Sequence, residues 1–200
     1  MKFGNFYRMI EKLESIDHSL VLAINAMHST FLDSFMWFLS GSYILLLLIP
    51  FIFYFLFKEY RSKQLLWIFA ALVLTVILTD QLSVHAFKEV FQRYRPSHNL
   101  LLKSQLHLHE YPDGSFYGGG KFGFVSSHAA NYFGILTIIS SLIRQGWVKI
   151  ILLTIALLVI YSRVYLGVHY VSDVLCGALL GFVLAQFVLQ SLLLKKVDVS

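Results

Sequence analysis

Residues 174–194 read VLCGALLGFVLAQFVLQSLLL, 21 positions from Val174 to Leu194 without one Asp, Glu, Lys or Arg. A helix crosses a bilayer in about 20 predominantly apolar residues, and in hydrocarbon only a helix or a closed barrel satisfies its own backbone groups. This stretch is therefore read as a membrane-spanning helix, and the rest of the chain is read outward from it. Uncharged runs recur at Ser34–Phe57, Gln64–Thr79, Phe122–Ile143 and Ile150–Ser162. They place five spans near 41–57, 64–86, 124–143, 147–166 and 170–193. Composition agrees, because 58% of the 200 residues are hydrophobic and 14% are charged, against roughly 45–50% and about 25% in a soluble globule. The expected fold is all-α: a polytopic membrane helix bundle of five transmembrane helices plus an N-terminal amphipathic or sixth helix. It forms one domain over 1–200, with 1–40 as the N-terminal helices and 41–194 as the transmembrane core.

Disordered, collagen-like and disulfide-scaffold classes are excluded, and the single cysteine, Cys176, lies inside an apolar run with no partner for a bridge. In so apolar a chain, the formal net charge of +5 points to cytoplasmic loops and anionic headgroups rather than to nucleic acid. Lys58, Arg61 and Lys63 follow the first span, Arg144 and Lys149 the third, and Lys195 and Lys196 the fifth. Alternation puts these three places on one side, which the positive-inside rule makes cytoplasmic. The segment 88–123 and the turn near 165–170 then face the other side, periplasmic if the membrane is a bacterial inner membrane. In the first forty residues, Ile10, Leu13, Leu20, Leu22, Ile24 and Met27 are broken by Glu11, Lys12, Glu14, Asp17, His18 and His28. That pattern fits an interfacial amphipathic helix, with an irregular sixth span as the alternative. Acidic residues where an apolar core should begin argue against a signal peptide.

With the spans drawn, Lys88, Arg95, Ser126, His128, Arg163, His169 and Asp173 all map to the outer ends of spans or the loops beside them. Charged groups at membrane depth cost several kcal/mol by most scales, so they usually have a partner or a task. Lys88 and Arg95 are seven apart, about two helical turns, and on one helix face they form an anion receptor, or else a solvated flank for headgroups. Pro96 discourages the helix from continuing. Ser126, Ser127 and His128 open the third span, where amides at a helix N-terminus favour an anion, although a serine pair there is equally an N-cap. His169 and Asp173 are four apart, so on a helix the carboxylate can hold one imidazole nitrogen and leave the other as nucleophile or base. A structural ion pair of Arg163 with Asp173 is the alternative. Together, three cations, two histidines, one carboxylate and a helix N-terminus describe a pocket for a tetrahedral oxyanion. The rival is a metal site in the loop holding His98, His107, His109, Glu110 and Asp113. Gly118-Gly119-Gly120 has no strand before it and reads as flexible loop rather than a dinucleotide fingerprint.

These three clusters resemble the signature of the type 2 phosphatidic acid phosphatase family, which unites membrane lipid phosphatases with soluble vanadium haloperoxidases. The first motif, Lys, six residues, Arg-Pro, matches at Lys88, Arg95 and Pro96. The third, Ser-Arg, five residues, His, three residues, Asp, matches at Ser162, Arg163, His169 and Asp173. The second, Pro-Ser-Gly-His, matches at Ser126 and His128 but has Val125 for proline and Ser127 for glycine. The resemblance implies a phosphate clamp of Lys88, Arg95, Arg163, Ser126 and the amides near Ser127 and His128. It implies His169 as the nucleophile forming a phosphohistidine, Asp173 as its orienter and His128 as the acid. It implies no metal and no other cofactor. A site at headgroup level among apolar helices is expected to take a membrane lipid phosphate from the bilayer, with a polyprenyl diphosphate or lipid A phosphate favoured over phosphatidic acid or phosphatidylglycerol phosphate. A non-catalytic lipid-binding or transport protein would keep the cations without needing His169 and Asp173.

Overall fold

The structure, a computed structural model, describes residues 2–41 and 43–197, with side chains for all of these except 2–7 and 45. Its helices are α1 (Lys2–Asn25), α2 (Thr30–Ser40), α3 (Tyr43–Glu59), α4 (Ser62–Phe91), α5 (Ser127–Leu142), α6 (Gly146–Tyr165) and α7 (Val171–Leu193). Among the described residues no strand forms, and the long loop between α4 and α5 carries two isolated bridges, Tyr94 with Phe122 and Glu110 with Phe116. The all-α expectation holds. Helices α4, α6 and α7, of 30, 20 and 23 residues, are long and apolar enough to cross a membrane. Helices α3 and α5 take the places expected of two further spans but have 17 and 16 residues, a rise of roughly 25 Å at 1.5 Å per residue.

The bundle has two distinct ends. At the lower end the Tyr60 hydroxyl donates to the Leu142 carbonyl at 2.8 Å, the Gln145 amide donates to Glu59 at 2.9 Å, and the Lys196 ammonium sits 5.3 Å from the Trp67 ring centroid. The turns bearing Lys58 to Lys63, Arg144 to Lys149 and Lys195 with Lys196 therefore share one end, as the charge pattern predicts. The upper end gathers the last turn of α4, the first turns of α5 and α7, the last turn of α6 and the 92–126 loop.

Helices α5 and α7 touch backbone to backbone. A Cβ placed on Gly177 would lie 2.4 Å from the Ser126 carbonyl oxygen, and one on Gly181 would lie 2.1 Å from that of Ala130. Without a hydrophobic force between helices in lipid, such small-residue seams let van der Waals packing act at short range. Gly177 and Gly181 are one turn apart, so the seam is continuous. Apolar side chains fill the remaining space: Leu56, Ile68, Ile139 and Leu193 below, and Leu39, Val159, Leu166 and Val168 above.

The N-terminal region is two helices, because the chain turns at 26–29, where Ser29 caps α2 by accepting from the Leu32 amide at 3.3 Å. At 11 residues α2 is too short to span, so residues 19–40 form no single sixth crossing. Helix α1 buries Asp17, Val21 and Asn25 against the upper end while Met9, Leu13, Ile16 and Leu20 stay exposed. These exposed residues form a second apolar stripe on α1.

Candidate active site

Helix α4 does not run from Lys88 to Arg95 as the spacing suggests. It loosens into a π-helical stretch at Leu82–Lys88 and ends at Phe91, and Gln92 takes a left-handed conformation with φ 47°. Arg95 then lies in extended backbone ahead of a short 3-10 turn begun by Pro96. The two cations are thus brought together by the chain's reversal and not by a shared helix face. The Lys88 ammonium donates to the Ser127 hydroxyl at 2.6 Å, and Ser83 of the π-helical stretch meets the same hydroxyl at 2.6 Å. Such local widening recurs at functional sites, where it re-aims side chains.

Arg95 is buried and makes three contacts: Nε to the Phe122 carbonyl at 3.2 Å, and Nη1 to the Val168 carbonyl at 3.0 Å and to Nε2 of His169 at 2.8 Å. Because a guanidinium only donates, Nε2 must carry a lone pair, and the imidazole proton sits on Nδ1. That nitrogen faces Asp173 Oδ2 at 3.3 Å. His169 precedes α7 rather than riding on it, and the same Oδ2 accepts from the Tyr170 amide at 3.0 Å, closing the first turn of the helix. Burial, with the charges of Arg95 and Arg163, lowers the proton affinity of His169 well below the ordinary imidazole range. A neutral ring with its lone pair on Nε2 is the nucleophilic form. Burial and the Arg163 charge push Arg95 down to about 10, so it remains a cation at neutral pH.

Arg163 is buried near the end of α6, where it donates to the Ser40 hydroxyl and, at 2.8 Å, to the Tyr117 hydroxyl. Its Nε is buried without a partner among the described residues, a donor suited to an anion. The alternative reading, an ion pair of Arg163 with Asp173, does not form among the described residues. Asp173 is instead paired with Arg93, whose Nη1 lies 2.9 Å from Oδ1.

Arg93 was invisible as a site residue in the sequence. Its Nη2 also binds Asp17 of α1 at 2.8 Å, and Asp17 accepts the Ser172 amide at 3.0 Å. Although burial opposes it, the two carboxylates hold Arg93 firmly protonated. Nothing local marks Arg93, Asp17, Ser40, Tyr117 or Ser83, because each acquires its role from a partner more than 40 residues away. Ser126 takes the cap role: it is buried, and its hydroxyl accepts from the Ala129 amide at 3.4 Å. His128, one position into the exposed side of α5, makes no hydrogen bond among the described residues and adds to the electrostatic field on His169.

Two glycines are fixed by close approach. A Cβ on Gly123 would lie 2.9 Å from Asp173 Oδ2, and one on Gly119, at φ 65°, would lie 3.1 Å from Arg95 Nη1. Of the Gly118–Gly120 stretch, Gly119 therefore packs on the site and Gly118 on His98 and Ser97, while Gly120 faces open space. The five residues of the rival metal loop do not converge. His98 bonds Ser97, His109 stacks on Trp37 at 3.8 Å and Asp113 binds Ser115, while His107 alone joins another cluster.

A buried, neutral imidazole braced by a carboxylate, with guanidinium groups on its reactive side and a helix N-terminus nearby, is equipped for transfer of a tetrahedral oxyanion. A model of the PAP2 superfamily matches residues 64–196, and the chain belongs to that superfamily. The lipid A 4'-phosphatase of Porphyromonas gingivalis is 32% identical over 186 residues, covering 90% of this chain and 74% of that protein. The lipid A 4'-phosphatase of Bacteroides thetaiotaomicron is 36% identical over 173 residues, covering 86% and 75%. The crystal structure of a transmembrane PAP2 type phosphatidylglycerolphosphate phosphatase from Bacillus subtilis superposes with a TM-score of 0.65 at 27% identity, covering 94% of this chain and 88% of that one. The protein is accordingly an integral-membrane lipid phosphatase of the PAP2 type.

Proposed function

We propose that this enzyme removes a phosphate monoester from a lipid A-type glycolipid at the outer face of a bacterial inner membrane, through a phosphohistidine and without a metal. The observation that carries the chemistry is the Arg95–His169–Asp173 line, in which Nε2 keeps its lone pair at the guanidinium and Nδ1 is held by the carboxylate. In the first step Nε2 of His169 forms a bond to phosphorus while the bond to the lipid oxygen breaks, and His128 delivers a proton to that oxygen. In the second, His128 takes a proton from water as the water oxygen bonds phosphorus and releases inorganic phosphate and free His169. Lys88, Arg95 and Arg163 neutralise the phosphoryl oxygens throughout, the role a metal plays elsewhere. Ser127, standing where the family has glycine, holds Lys88 in this pocket through its hydroxyl.

The substrate class rests on the two lipid A 4'-phosphatase relatives and on an apolar cavity of about 450 Å³ between α3, α4, α5 and α6. Tyr132, one turn along α5 from His128, lines its upper part, and Ile52, Phe69 and Ile139 continue it into the bundle. An acyl chain in this cleft keeps the phosphate at headgroup level. The test is inorganic phosphate release by the detergent-purified protein in excess chelator, from lipid A, phosphatidylglycerol phosphate and undecaprenyl diphosphate. Lipid A is expected to give the largest kcat/KM. A preference for either of the others by tenfold or more overturns the substrate, and activity lost to chelator and restored by zinc overturns the mechanism.

A further inference from the structure

His107, left over from the catalytic pocket, lies at a second site. Its Nε2 is 3.2 Å from Asp33 Oδ2, and its ring stacks on that of His28 with centroids 4.0 Å apart and planes 14° from parallel. One ligand-capable atom from each of His28, Asp33 and His107 lies within 4.8 Å of the others. Metal bonds of about 2.0–2.2 Å to imidazole and carboxylate put neighbouring ligands roughly 3.4 Å apart in a tetrahedron, so rotations of two exposed imidazoles close the set.

The surroundings are built to hold it. Asn25, itself buried, accepts from the His107 amide at 2.7 Å and donates to the His107 carbonyl at 2.8 Å, fixing the loop backbone. The oxygen of Asp33 that His107 does not use accepts from the Tyr165 hydroxyl at 2.6 Å, so the carboxylate is oriented from behind. Outer partners of this kind set ligand geometry in metal sites. His107 and Asp33 open on a cavity of about 340 Å³ that His109 and Glu110 also line, leaving room for a water as fourth ligand.

We propose that His28, Asp33 and His107 bind one zinc-class divalent cation at the upper face, separate from the phosphate-binding residues. Two imidazoles and one carboxylate suit zinc over magnesium or calcium, which prefer oxygen ligands. The ion ties the α1–α2 turn to the 92–126 loop, whose Tyr117 contacts Arg163 and whose Gly119 packs on Arg95. Its role is therefore to clamp that loop, while the phosphate chemistry proceeds without it.

The full chain, purified in detergent with a histidine-free tag and stripped by chelator, is titrated with zinc chloride or magnesium chloride. The readouts are bound metal per chain and the thermal midpoint. Wild type is expected to bind about one zinc with a midpoint rise of several degrees, as binding to the folded state alone requires, and magnesium to give none. His28→Ala and His107→Ala should each weaken zinc binding tenfold or more, and His109→Ala should not. Phosphate release in chelator by the His28→Ala and His107→Ala variants serves as the fold control and is expected to match that of stripped wild type. No stoichiometric zinc binding by wild type, or undiminished binding by the His28→Ala, His107→Ala double variant, overturns the site. These metal readouts stand apart from the phosphatase assay, so either proposal can fail alone.

Discussion

Cations stand at both ends of the bundle, and those named below are held in opposite ways. At the lower end, Lys58, Arg61, Lys63, Arg144, Lys195 and Lys196 are exposed. At the upper end, Arg95 and Arg163 are 7% and 3% exposed, and Lys88 and Arg93 are half-buried. An exposed ammonium in water is screened within about 10 Å and contributes little to a specific contact. A buried guanidinium acts at low dielectric, so its field on a phosphoryl oxygen is far stronger. The same residue types are therefore left to solvent at one end and desolvated at the other.

The largest effect expected from breaking the upper end is that of His169→Ala. Phosphate release should fall to background while the purified protein keeps its helical content by circular dichroism. Asp173→Asn, which keeps the nucleophile but not its preferred tautomer, should cost less. Because burial and the two arginines lower the proton affinity of His169, the acid limb it contributes to the kcat/KM profile should fall below about pH 6.5. A limb at or above that value would contradict the field described at Nε2.

Next come the buried forks. Arg95→Lys and Arg163→Lys keep the charge but lose the planar pair of donors, and each should lower kcat/KM by roughly 10²-fold, as for removal of one oxyanion donor. Wild-type rates in both would reduce the upper cations to a patch like the lower one. Addition of vanadate, which can adopt the transition-state geometry, should inhibit competitively in wild type.

A smaller effect is expected at Arg93, which touches Asp173 but not His169. Arg93→Gln should reduce kcat by about tenfold with KM little changed, since it removes a positioning contact rather than uniform binding. Arg93→Lys should recover part of that loss, and equal changes in kcat and KM would assign Arg93 to substrate binding.

The smallest effect is expected below. Arg61→Ala should leave turnover within about twofold of wild type. Sidedness is read separately, after replacing Cys176, by cysteine labelling with a membrane-impermeant thiol reagent that the outer membrane admits. A cysteine at Ser115 should react in intact cells and one at Ser62 only after lysis. The reverse pattern would turn the site toward the cytoplasm.

The upper end was legible in part. Lys88, Arg95, Arg163, His169 and Asp173 stand out because ionisable residues at span ends are rare enough to be noticed singly. The i, i+4 spacing of His169 and Asp173 predicted their contact even though His169 lies ahead of the helix. The Lys88 to Arg95 interval misled, since a seven-residue spacing describes a continuous helix and neither the π-helical stretch nor the Gln92 reversal has a pattern in the residues. Arg93, Asp17, Ser40 and Tyr117 could not be found, because their partners lie 46 to 155 positions away. The five-span reading depended on uncharged run length, which counts residues 34–40 of α2 with α3 and the loop residues 122–126 with α5, so α3 and α5 have 17 and 16 residues where the runs have more.

The seam at Gly177 and Gly181 has a bearing on how the enzyme meets membranes of different thickness. A bilayer thicker or thinner than the hydrophobic length of a protein is accommodated by helix tilt, at fractions of a kcal/mol per ångström. Helices α5 and α7, with carbonyls where side chains would otherwise cushion them, cannot tilt against each other without collision. Helix α3, which carries Pro50 and lies beside the apolar cavity, has both a bend point and space. Hydrophobic mismatch should accordingly be taken up by α3, while His128 on α5 and Asp173 on α7 keep their spacing from one lipid composition to the next.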